Sequence, residues 1–152
     1  MDKEIFLRTI FVDKLRNVDP NSLGLWGKMN VHQMAEHMVL AFKTANGKIK
    51  VEEIITPPEK IQRSQEFILS DIPFKENTKN VLLPAEPFPI RNANYQEVLD
   101  KLEAEIAEMF RVYDEKPDLK LRNPIFGDID RNLQIHLLHK HATHHLKQFG
   151  LL

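Results

Sequence analysis

Between Asn94 and Lys116 the chain carries one long stripe of apolar residues at helical spacing: Tyr95, Val98, Leu99, Leu102, Ile106, Met109, Phe110 and Tyr113. A stripe of that length fits one side of an α-helix. It fits no β-strand, where a period of two would send successive members to opposite faces. Such a helix cannot bury its own apolar side, so the rest of the chain has to supply elements that cover it. Asn94 and Glu97 have the spacing of a capping box at its start, and Lys116-Pro117 stops it.

Three other segments show the same periodicity. The first runs from Lys3 to Asn17, with Ile5, Phe6, Ile10, Phe11 and Leu15 at three- to five-residue spacing, until Asp19-Pro20-Asn21-Ser22 breaks it. Gly24 to Gly27 form a loop around Trp26, the only tryptophan. The second helix starts at Asn30, a good N-cap, and runs to Ala45, where Asn46-Gly47 ends it. The fourth runs from Asp128 to Phe149, entered through the loop Asn123-Pro124-Ile125-Phe126-Gly127 and closed by Gly150.

Residues 48–93 are different. They hold six of the nine prolines and show no sustained periodicity, with room for a short helix near Glu59 to Phe67. The expected fold over residues 1–152 is therefore a single all-α domain. It is a four-helix bundle of up-down-down-up order with a long crossover between its second and third helices. In that order the start of the second helix, the end of the fourth, Trp26 and the segment Phe88 to Arg91 share one end.

The net charge of −1 and the scattered lysines and arginines give no electrostatic ground for a nucleic-acid or membrane partner. The absence of cysteine excludes disulfides, thiolate metal sites and cysteine nucleophiles. The charged start MDKEIFLRTIF does not read as a signal peptide, and no apolar run is long enough to span a bilayer. A cytoplasmic protein acting on a small molecule is the expectation.

Five of the seven histidines fall between His136 and His145. On a helical wheel Leu133, Leu137, Leu138, Ala142, Leu146 and Phe149 define the apolar side of the fourth helix, and His141 and His145 lie within it, one turn apart. His136, Lys140, Thr143 and Lys147 point away, His139 lies beside that polar arc and His144 at the border. Two core-facing imidazoles four residues apart can direct ring nitrogens at one metal ion. The pair is not the zinc-protease HExxH motif, because Ala142 follows His141 and the general base is missing. On the second helix His32 falls among polar residues, whereas His37 borders the apolar stripe beside Met34, Leu40 and Ala41 and becomes the third ligand.

These blocks resemble the DinB/YfiT-like superfamily of metal-binding four-helix bundles. The likeness rests on Trp26-Gly27-Lys28-Met29 entering the second helix, then Val31-His32-Gln33-Met34-Ala35-Glu36-His37-Met38, and on Asn123 to Gly127 with His141-Ala142-Thr143-His144-His145-Leu146-Lys147-Gln148. It implies a three-histidine divalent site with open positions, on the same His37, His141 and His145. It also implies a homodimer and, for part of the superfamily, thiol S-transfer with a low-molecular-weight thiol; the branch this chain resembles has no assigned reaction.

Zinc or nickel is the first expectation for the ion, with iron or manganese second, since all four accept imidazole. An enzyme of thiol S-transferase or hydrolase type is the leading expectation, with Trp26, Phe88 and Ile90 as pocket walls, Arg91 as an anion contact and Gln148 as a hydrogen-bond partner of a ligand. Glu36 is expected to face solvent. The alternative is a non-catalytic binding or structural module stapled by the metal.

Overall fold

The computed structural model describes residues 2–76 and 86–152; residues 77–85, inside the stretch expected to be irregular, lie outside them. The chain is mostly helical, with one small antiparallel sheet. In order the elements are α1 (Lys3–Ile5), a π-helical segment (Phe6–Ile10), α2 (Asp13–Arg16), α3 (Val31–Ala45), α4 (Pro58–Leu69), α5 (Tyr95–Glu115), β1 (Leu121–Asn123), β2 (Gly127–Ile129) and α6 (Arg131–Gln148).

The expected first helix contains a π-turn, in which the Phe11 amide donates to the Phe6 carbonyl at 3.0 Å. The cause is visible in the sequence. Phe6 and Phe11, and Leu7 and Val12, are five residues apart and all buried, a spacing that only a widened turn keeps on one face. Ile5, expected in the stripe, is exposed instead.

The cap of α3 forms in full. Asn30 accepts from the Gln33 amide at 2.8 Å, and the Gln33 side chain accepts from the Asn30 amide at 3.0 Å. At α5 only half of the expected box is present: Asn94 accepts from the Glu97 amide, while the Glu97 carboxylate takes the Asn92 side-chain amide.

The all-α expectation is corrected at residues 121–129, where a hairpin replaces the expected loop and the last helix begins at Arg131 behind the N-cap Asp130, not at Asp128. Asn123 explains the turn. Its side-chain oxygen accepts from the amides of both Ile125 and Phe126, which closes the chain back on itself and pairs Leu121 with Ile129.

The main core joins α3, α5, α6 and the N-terminal helices around Phe11, Met34, Phe42, Leu99, Leu102, Met109 and Phe110, all fully buried. A smaller cluster of Ile68, Phe126, Ile129 and Leu137 seats α4 and the hairpin on a second side of α6. Neighbouring directions follow from paired contacts. His32 packs on Tyr95 near the starts of α3 and α5, and Asn46 at the end of α3 bonds Glu105 further along α5, so these two run the same way. Gln134 near the start of α6 reaches the Ala45 carbonyl at the end of α3, so α6 runs against α3. No helix among the described residues is long and apolar enough to cross a membrane.

Candidate metal centre

His37 sits in the second turn of α3, and His141 and His145 in the last two turns of α6. Because these helices run opposite ways, the three imidazoles meet, with ring centroids 4.7 to 5.1 Å apart. One nitrogen from each ring can be chosen so that all three lie within 4.8 Å of one another. The His37 and His141 Nε2 atoms are 3.0 Å apart. Nitrogens bonded at about 2.1 Å around a tetrahedral ion lie roughly 3.4 Å from one another, and the 3.0 Å His37–His141 pair lies close to that value.

The third ring carries the stronger signal. His145 is buried, and its Nε2 is the buried side-chain polar atom without a hydrogen-bond partner among the described residues. Its Nδ1 lies 2.8 Å from Oε1 of Gln148. Gln148 in turn donates through Nε2 to the Trp26 carbonyl at 3.0 Å, which fixes its amide with the oxygen toward His145. An acceptor at Nδ1 requires the proton there and leaves a bare lone pair on Nε2, as a metal ligand needs.

The loop before α3 is shaped around this glutamine. The Leu25 amide donates to the Gln148 carbonyl at 2.7 Å. Gly27 has φ of +77°, and a Cβ there would lie 2.7 Å from the Gln148 amide nitrogen. A Cβ on Gly24 would lie 2.7 Å from the Trp26 carbonyl. The glycines flanking Trp26 thus let backbone approach the group that orients His145.

Burial keeps all three rings neutral. It holds His37 down to about 4, with His144 adding to the effect. It holds His145 down to about 3, helped by His37 and opposed by the Gln148 hydrogen bond. His141 is pushed well below the ordinary histidine range by burial and then by the other two rings. Neutral imidazoles are the ligating form. Among the described residues no carboxylate or fourth histidine joins the cluster.

Gln148 meets the triad at His145, and Trp26 reaches it only through its carbonyl on Gln148, its ring lying against His144. Phe88, Ile90 and Arg91 do not line the cavity next to Trp26 and His144. Phe88 and Ile90 are 44% and 41% exposed, and Arg91 stacks over Phe88 at 5.5 Å on a strap along α3. That strap explains two further corrections. Glu36 does not face open solvent but accepts from the amides of Arg91 and Asn92. His32, assigned to the polar side, is buried under the strap with Nε2 2.8 Å from the Asn92 carbonyl.

Lys140 is buried rather than solvent-facing: its ammonium donates to the Ser70 carbonyl at 2.9 Å and to the Ile72 carbonyl, closing the end of α4. His139 packs edge-on against Phe6 at 5.0 Å. Sequence reasoning missed Phe74, whose ring stands edge-on to His141 and His144 at 6.2 and 5.9 Å; it lies in a segment without periodicity, and nothing local marks it. No family model matches the chain, and no curated protein or solved structure matches it either.

Proposed function

We propose that the chain is a divalent-metal protein that holds one ion through His37, His141 and His145 and acts as a metal-dependent enzyme of thiol S-transferase or hydrolase type. The observation that carries the reading is the Nε2 of His145, buried, bare and aimed by Gln148 at two other imidazoles. A buried polar atom left without a partner costs about 1–3 kcal/mol, and a shared cation would satisfy all three rings together.

A divalent ion bound to three neutral imidazoles keeps its full charge and supplies Lewis acidity for activating water or a thiol. The chain's own part is to hold the rings neutral, to fix the tautomer of His145 and to exclude water from the α3–α6 side of the site. With no fourth protein ligand among the described residues, open positions for a small molecule are the better reading than a closed structural site.

Zinc or nickel suits three imidazoles best, with iron or manganese as further candidates. The antiparallel pairing of α6 with α3 and the parallel pairing of α3 with α5 support the up-down-down-up bundle order. That order and the Trp26 and His141-to-Gln148 blocks support the DinB/YfiT-like assignment, and with it a homodimer and a low-molecular-weight thiol as substrate.

The test is the metal content of protein purified without a nickel column, wild type beside His141→Ala. About one equivalent of a transition metal in the first and none in the second is expected. Absence from both, with no uptake of added zinc or nickel, sinks the proposal. Turnover of thiols with electrophiles by the loaded wild type separates the enzyme from the alternative, a non-catalytic module stapled by its metal.

A further inference from the structure

A cavity of about 330 Å³ opens beside the metal centre, between the Trp26 loop, the chain after α4 and the last turns of α6. Three rings face it. Trp26 and His144 lie tilted against each other at 5.5 Å, and Phe74 stands edge-on to His144 at 5.9 Å. Leu25 and Pro73 extend the apolar wall. The volume lies at the lower end of small-molecule sites, which span about 300–1,000 Å³. It has room for a single ring with a short substituent.

The charges around it are unequal. Lys140 and Lys147 line the cavity against one acidic residue, Glu76. Lys140 is pinned by the carbonyls of Ser70 and Ile72 and contributes a fixed positive charge, while Lys147 is exposed and free to turn. The same walls touch the metal ligands. Phe74 packs on His141, and the Trp26 carbonyl holds the Gln148 amide that orients His145. A ligand that moves either wall therefore acts on a ligating ring.

We propose that this cavity binds small aromatic carboxylates, the ring against Trp26 and Phe74 and the carboxylate at Lys147. The cavity is not lined by His37, His141 or His145 but abuts them through Phe74 and His144, so it goes beyond the reading above, and the binding does not require metal.

Trp26 is the only tryptophan, so its fluorescence reports the cavity directly. Phenylacetate, benzyl alcohol and benzylamine share one ring and differ in charge, and each is titrated into chelator-treated and zinc-loaded protein. A saturable change with phenylacetate is expected, at least about tenfold tighter than with either counterpart. Lys147→Glu, at an exposed position, should reverse the order of phenylacetate and benzylamine. Phe74→Ala should weaken phenylacetate about tenfold with an unchanged circular dichroism spectrum; if it fails to fold, Lys147→Glu decides alone. Equal responses to the three probes, or indifference to Lys147→Glu, overturn the proposal. One equivalent of zinc with no phenylacetate response removes the cavity and leaves the metal centre, whereas charge-selected phenylacetate binding without metal uptake does the reverse.

Discussion

Gln148 does at the scale of a single residue what no ligand does by itself: it decides which nitrogen of His145 carries the proton. Replacing it by leucine keeps most of the volume and removes the acceptor, so either tautomer becomes available and the ring loses its aim. Partners of this type are typically worth about 10- to 100-fold in metal affinity. Gln148→Leu is therefore expected to weaken zinc binding by that order in competition with a chromophoric chelator, without changing the stoichiometry of one. Equal affinity would show that packing alone orients His145.

Protons should compete with the metal at the same rings. The folded-state values of His37, about 4, and His145, about 3, lie below the ordinary histidine range near 6.5. The unfolded chain then binds more protons below about pH 6.5, so stability is full above that value and falls as the pH drops toward the folded values. Between about pH 7 and about pH 5.5 the loss is roughly 1 kcal/mol for each such ring. Urea midpoints of chelator-treated protein should fall across this window, and a flat profile would mean that the rings titrate normally.

At the scale of elements, the helices that form against one core were legible and those that serve two were not. The stripe of α5 and the cap at Asn30 follow from local sequence, because one face is buried and one is wet. Asn30→Ala should cost about 1 kcal/mol, read as a lower urea midpoint, and leave metal stoichiometry unchanged because His37 lies in the second turn of α3, beyond the capped first turn. The opposite case is α6. It packs Leu138, Ala142 and Leu146 into the main core and Leu137 into the cluster under α4. A wheel that assumes a single apolar side therefore misplaced Lys140. His32 on α3 was misplaced for a related reason, since a strap from far along the chain covers it. The metal triad was legible because its members lie near the face where α3 and α6 meet. Phe74 was not, because its place is set by the chain's path after α4 and not by any periodicity.

At the scale of the molecule, the triad links α3 and α6 across the interface that otherwise meets through Ala45 and Gln134 at its far end. An ion that binds the folded chain and not the unfolded one stabilises it by an amount set by free concentration over Kd, about 2.7 kcal/mol at a hundredfold excess. For a chain of 152 residues, each kcal/mol moves the midpoint of thermal unfolding by roughly 2–4 °C. Zinc at that excess should thus raise the Tm of wild-type protein by about 5–10 °C. His141→Ala, which keeps both helices but removes one corner of the site, should show no such shift. A comparable rise in the variant would mean that zinc binds elsewhere, for instance at His136 and His139 in the earlier turns of α6. A wild-type Tm unchanged while one equivalent is bound would mean that the ion meets the triad equally well in the unfolded chain. That result would conflict with a site in which His37 lies 104 residues from His141 in sequence and joins the α6 pair only through the antiparallel packing of α3 and α6.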